Sequence, residues 1–171
     1  HHWCNYWMHV MHLNTTSGKM SKSKGEFLTV SLLEQKGYDP LAYRLFCLQS
    51  HYRKNLVFSW ENLDNAMGTY QKLIAKIAAL KPSDEPIDED AVTALREKFN
   101  KALGNDLNTS LGITALYDVL KYQTNDATKL YLLDDFDKVL SLDLLKKAEE
   151  ARKKAASAKA SGGEYNIISE S

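Results

Sequence analysis

The sequence predicts a mainly α fold, an antiparallel four-helix bundle preceded by a glycine-flanked loop and a short connecting region. Three observations predict it. From Ser59 onward apolar residues recur at helical spacing through four successive segments. The connections between those segments are short and polar or carry proline, which favours antiparallel neighbours. Before Ser59, turn-forming residues surround Lys19-Met20-Ser21-Lys22-Ser23, a stretch bracketed by Gly18 and Gly25.

Asn5 to Leu13 mixes aromatic, apolar and histidine residues and reads as a strand, with Thr15-Thr16-Ser17-Gly18 as the turn that leads into a loop at Lys19–Ser23. Thr29 is placed to cap a short helix through Gln35, ended by Gly37. Asp39-Pro40 opens a second with a cap residue and a proline at the first helical position, running to about Ser50. His51 to Phe58 reads as an irregular connection. Ser59 then caps a long helix carrying Leu63, Met67, Tyr70, Leu73, Ile74, Ile77 and Leu80 on one face, stopped by Pro82 and Pro86. A helix from about Asp88 buries Val92, Leu95, Phe99 and Leu103 and stops near Gly104-Asn105-Asp106. Asn108 caps the next, which turns Leu111, Leu116, Val119 and Leu120 inward. The last begins near Asp126 and buries Leu130, Leu133, Phe136 and Leu140. The charged stretch from Lys146 reads as a helix end followed by a linker through Gly162-Gly163, with too little apolar surface to order itself.

Composition sets limits on function. With 44 % hydrophobic and 26 % charged residues in 171, the chain is ordinary for a soluble globular protein rather than a disordered one. The net charge of zero conceals a basic front end: Lys19, Lys22, Lys24, Lys36, Arg44, Arg53 and Lys54 face only Glu26, Glu34 and Asp39 before Ser59. No long apolar run reads as a membrane span and no leader is visible, so a cytoplasmic location is expected. Cys4 and Cys47 are too few and too far apart for a disulfide framework and read as two partly buried thiols. Cys4 with His1, His2, His9 and His12 offers soft ligands, but the spacing fits no common structural-zinc pattern, and no metal site is expected in this chain.

Lys19-Met20-Ser21-Lys22-Ser23 is the stretch that carries chemistry. It sets two ammonium groups and two hydroxyls on a loop whose flanking glycines let backbone approach phosphate oxygens, an arrangement suited to a triphosphate. Serine nucleophilic catalysis needs a partner base, and no His/Asp pairing accompanies Ser21 or Ser23, so the serines shape the loop.

Asn5-Tyr6-Trp7-Met8-His9, then KMSKS at 19–23, Tyr38-Asp39-Pro40 with Arg44, His51-Tyr52-Arg53, Ser59-Trp60-Glu61-Asn62-Leu63 and Asp106-Leu107-Asn108-Thr109-Ser110 together resemble cysteinyl-tRNA synthetase, a class I aminoacyl-tRNA synthetase. The resemblance covers about Asn5 to Ala151. It implies ATP-dependent activation of cysteine and its transfer to tRNA(Cys), with ATP bound together with Mg. Lys22 would stabilise the triphosphate as pyrophosphate departs and Lys19 would help the loop close; Lys19, Met20, Ser21, Lys22 and Ser23 form the implied ATP-binding loop. Arg44, Arg53 and Lys54 are the candidate tRNA phosphate contacts.

The same resemblance implies four regions: a remnant of a catalytic domain with the KMSKS loop (1–27), a stem-contact connection (28–58), a DALR-type tRNA-binding helical bundle (59–145), and a helix end with flexible linker (146–171). The counterpart of the name-giving motif here is Asp39-Pro40-Leu41-Ala42-Tyr43-Arg44. The family's HIGH motif and the ligands of its zinc are expected upstream of His1, where the sequence reads as an entry partway through a domain, so the isolated chain is expected to be inactive. Two departures stand out: Lys24-Gly25-Glu26 follows the motif where Leu-Gly-Asn is common, and His9-Val10-Met11 replaces the usual histidine-glycine step. The alternative reading is a stand-alone helical RNA-binding module without catalysis.

Overall fold

A computed structural model describes residues 3–15, 18–19 and 29–162. The chain is mainly helical, as expected: seven helices and a small sheet lie among the described residues, in the order β1 (Leu13–Thr15), β2 (Gly18–Lys19), α1 (Val30–Gln35), α2 (Pro40–Leu48), β3 (Leu56–Phe58), α3 (Trp60–Ala78), α4 (Glu89–Gly104), α5 (Thr109–Lys121), α6 (Asp126–Leu140) and α7 (Leu144–Gly162). They divide into two compact units, one of the residues up to Tyr70 with Glu97–Ala115, the other of Gln71–Arg96 with the chain from Leu116 onward.

In the first unit the sheet has the order β2-β1-β3. β1 pairs antiparallel with β2 (Asn14 opposite Lys19) and parallel with β3 (Leu13 opposite Leu56, Thr15 opposite Phe58). Two expectations are corrected here. Asn5 to His12 is not a strand, which starts only at Leu13, and the supposedly irregular His51–Phe58 connection ends in β3. Both strands are three residues long, too short for alternation to show in sequence. Their shared anchor is a cluster of Leu33, Phe46, Phe58, Leu63 and Ala66, against which Leu13, Tyr38, Tyr43, Cys47 and Leu56 pack.

The helix starts follow side-chain caps. Thr29 Oγ1 accepts from the Leu32 amide, Asp39 from that of Leu41 ahead of Pro40, Ser59 from Asn62 and Asn108 from Leu111. Gly37, at φ 85°, makes the left-handed step between α1 and α2. Burial pushes the Tyr43 phenol up to about 12 and the Cys47 thiol upward as well, in keeping with Cys47 as a half-buried packing residue.

The second unit buries Leu73, Ile74 and Ile77 of α3, Val92 and Leu95 of α4, Leu116 and Val119 of α5, and Leu132, Leu133, Phe136 and Leu140 of α6. Leu111, expected inside, is exposed, and Leu130 only half-buried. The stretch from Lys146, expected as a helix end and linker, is helical as far as it is described, in α7 from Leu144 to Gly162, and the linker residues from Gly163 lie outside the described residues. The order of α7 comes from tertiary contacts, since Leu144 and Ala148 are buried and Arg152 donates to the carbonyls of Ile77, Ala78 and Leu80.

Candidate functional site

The KMSKS stretch begins on the sheet. Lys19, expected in a loop, is the last residue of β2, and its backbone pairs with Asn14 of the middle strand. Met20, Ser21, Lys22 and Ser23 lie outside the described residues, as do Thr16 and Ser17 of the expected turn. The sheet therefore fixes the entry to the motif from one side: β1 is bound to β3, and β3 runs into Ser59 and α3.

The segments behind β1 and β3 meet at a polar cluster. Tyr52 is its junction. Its carbonyl accepts from the Met11 amide at 2.9 Å, two residues before β1. Its phenol donates to Asp106 Oδ1 at 2.6 Å. Arg53 closes on the same carboxylate, Nε to Oδ2 at 2.7 Å and Nη2 to Oδ1 at 3.2 Å, while its guanidinium lies 5.2 Å from the Tyr52 ring centre. His51 stacks on Tyr52 with ring centres 4.8 Å apart and places Nε2 at 3.7 Å from Asp106 Oδ2. The Arg53 guanidinium, and next the Tyr52 phenol, hold the Asp106 carboxyl below the usual range; the carboxylate in turn raises the Tyr52 phenol and the Arg53 guanidinium.

Asp106 reaches this position through an unusual backbone. Asp106 and Leu107 both sit in the left-handed region, at φ 55° and 52°. The Leu107 amide donates to the Leu103 carbonyl at 3.0 Å and ends α4 there, so the left-handed cap falls after Gly104 rather than on it. Aspartate tolerates this region better than most residues. Next to it, Thr109 Oγ1 donates to the Ser50 carbonyl at 3.5 Å, a second tie between the same two segments.

Of the candidate RNA contacts, Arg44 is exposed on α2 and Lys54 is exposed on a turn closed by its own amide to the His51 carbonyl at 2.9 Å. Arg53 is committed to Asp106, which sequence reading did not foresee. His51-Tyr52-Arg53 and Asp106-Leu107-Asn108 were both noticeable as segments, but nothing in one dimension says that residues 53 apart share a carboxylate. Among the described residues no group of three or more His, Cys, Asp or Glu is placed to hold a metal ion, and Cys4 Sγ donates to the Tyr6 carbonyl. No helix among them is long and apolar enough to cross a membrane.

Comparison with known proteins bears on this arrangement directly. Residues 1–68 match the family model described as tRNA synthetases class I (C) catalytic domain. A cysteine–tRNA ligase of Novosphingobium aromaticivorans is 44 % identical over 143 residues, covering 81 % of this chain and 29 % of the relative. Cysteine–tRNA ligase 1 of Burkholderia lata is 37 % identical over 141 residues, 82 % of this chain and 29 % of its own length. The ligase of Borreliella burgdorferi is 32 % identical over 155 residues, covering 83 % and 32 %. The chain thus spans about a third of the length of the curated relatives it matches. A KMSKS stretch opening on a sheet edge, joined to these matches along most of the sequence, makes the chain a member of the class I cysteinyl-tRNA synthetase family, homologous to a segment of those ligases.

Proposed function

We propose that this chain is the KMSKS-bearing and helical portion of a cysteine–tRNA ligase, which activates cysteine with ATP and transfers it to tRNA(Cys) in the cytoplasm. The observation that carries the reading is the placement of Lys19 on β2, paired to β1, which gives the stretch a backbone-paired root on its N-terminal side. A lysine stabilises phosphate charge only if it is delivered to the same place each time, and a loop rooted on a sheet meets that condition better than one rooted in coil.

In this reading Lys22 stabilises the charge that grows on the triphosphate as pyrophosphate departs, and Lys19 assists as the loop closes and sheds water. Met20, Ser21 and Ser23 complete the ATP-binding loop; Mg accompanies ATP as part of the substrate. No step is assigned to zinc in this chain, whose described residues offer no ligand set. Helices α3 to α6 correspond to a DALR-type bundle that faces tRNA, and Arg44, Arg53 and Lys54 contact its phosphates. The isolated chain is inactive because the partners of Lys22 lie in the remaining two thirds of the ligase.

The test is a chimera in which this segment replaces its counterpart in the Novosphingobium ligase. Cysteine-dependent ATP/pyrophosphate exchange should be retained, should fall at least 100-fold with Lys22→Ala, about the loss of one such transition-state contact, and should be absent from the isolated chain. Exchange unaffected by Lys22→Ala would overturn the assignment.

A further inference from the structure

We propose that Asp106 is a positioning residue for Lys19, the first residue of KMSKS: through Tyr52 and Arg53, the left-handed turn after α4 holds β1 in register, and β1 holds β2 and with it the Lys19 backbone. The route is continuous and short. Asp106 Oδ1 accepts from the Tyr52 phenol at 2.6 Å. The Tyr52 carbonyl accepts from the Met11 amide at 2.9 Å. Two residues on, Leu13 starts β1, and Asn14 in β1 pairs with Lys19. Arg53 adds the second arm, from the same carboxylate to the chain three residues before β3, the other neighbour of β1.

Four features make the cluster a register device rather than a general stabiliser. The carboxylate is 45 % exposed and the guanidinium 66 %, and ion pairs in that setting contribute little to global stability. β2 is two residues long and β1 three, so their ladders alone give β1 little resistance to sliding or fraying. The cluster grips the chain two residues before β1 and three residues before β3, the two strands whose parallel pairing cannot be closed by a hairpin and so needs an outside constraint. Asp106 and Leu107 depart from the right-handed region in succession, which aims the carboxylate at Tyr52 and Arg53.

The structural half of this inference stands without the proposed ligase activity; the catalytic half rests on it, and the experiment separates the two. Asp106→Asn keeps a residue that accepts the left-handed backbone and removes the charge, while Tyr52→Phe removes one hydroxyl. In the full 171-residue chain, hydrogen exchange of the Met11 amide, read by NMR, should accelerate about fivefold in each variant, the scale of one exposed pair, and no further when the two are combined. The Phe136 amide in α6 should be unchanged. An unaltered Met11 amide, or equal acceleration of Met11 and Phe136, would overturn the proposal. In the Novosphingobium chimera, Asp106→Asn should lower kcat of pyrophosphate exchange several-fold with KM for cysteine unchanged. Loosening of Met11 with unchanged kcat would overturn the catalytic half alone, whereas a wild-type chimera without exchange would count against the ligase reading and leave Met11 to decide the rest.

Discussion

Arg152 of α7 donates through Nε to the Ala78 carbonyl at the end of α3, at 2.9 Å, and through Nη2 to the carbonyls of Ile77 and Leu80 at 3.1 Å each. The last carbonyls of a helix have no partner within it, and a guanidinium satisfies several at once while complementing the negative end of the helix dipole. One side chain therefore joins the end of α3 to a helix of mostly charged and small residues. Arg152→Met, which keeps the stem, should destabilise the second unit by about 2 kcal/mol, the range for hydrogen bonds from a charged donor, and should lower the helical circular dichroism of α7. Urea unfolding with far-ultraviolet detection measures both.

Thr128 gives a second prediction in the same unit. It is fully buried, and its hydroxyl oxygen accepts from the Asp88 amide at 2.9 Å. Around it, Thr124 Oγ1 donates to Asp88 Oδ2 and Asn125 Nδ2 to the Pro86 carbonyl, both at 2.9 Å, so the proline-bearing connection before α4 is clasped to the start of α6. Thr128→Val keeps the shape and leaves the Asp88 amide without its acceptor, at a cost of about 1–3 kcal/mol. Thr128→Ser keeps the oxygen and should lose less than half of that. Equal losses in the two variants would show that packing, not the hydroxyl, matters at this position.

Two glycines should respond in opposite directions. Gly68 lies within α3, and a Cβ there would meet nothing within 4 Å. Gly68→Ala should stabilise the protein by about 1 kcal/mol through helix propensity. Gly37 also has open space around it, but its φ of 85° is a conformation that L side chains resist. Gly37→Ala should destabilise by about 1 kcal/mol or more. Thermal denaturation of the pair tests whether backbone conformation rather than space sets the sign.

Acid should weaken the second unit through Asp88 and loosen the exposed Asp106 cluster locally in the first. The Ala91 amide, then the Thr124 hydroxyl, hold Asp88 below its ordinary value, and Arg53, then Tyr52, do so for Asp106. A carboxylate whose folded-state pKa is depressed contributes stability that is present above its unfolded value, near 4, and is lost as pH falls through the folded value. The urea midpoint should therefore drop below about pH 4, and Asp88→Asn should flatten that drop while leaving a less stable protein at pH 7, whereas Asp106→Asn, at an exposed pair, should change it little.

Legibility in the sequence followed the range of the interaction. Thr29, Asp39, Ser59 and Asn108 were recognisable as helix caps because a cap acts on amides two or three residues away. Leu63, Tyr70, Leu73 and Ile77 were recognisable as a buried face because 3.6-residue periodicity is local. β3 was missed because Leu56–Phe58 becomes a strand only by pairing with Leu13–Thr15, more than forty residues earlier. α7 was underestimated because its order depends on Arg152 reaching the end of α3, which composition does not reveal. The pairing of Arg53 with Asp106 is not legible because its carboxylate partner lies 53 residues away.

The sequence by itself determined that the chain is mainly helical, where most helices begin, and through KMSKS and its companion segments which family it belongs to, because caps, periodicity and motifs are written in neighbouring residues. Only the tertiary structure decided that Lys19 lies on a sheet, that Asp106 binds Tyr52 and Arg53, and that Leu144–Gly162 is a helix. Each of those depends on groups brought together from distant parts of the chain, where the gain comes from a contact rather than from local preference.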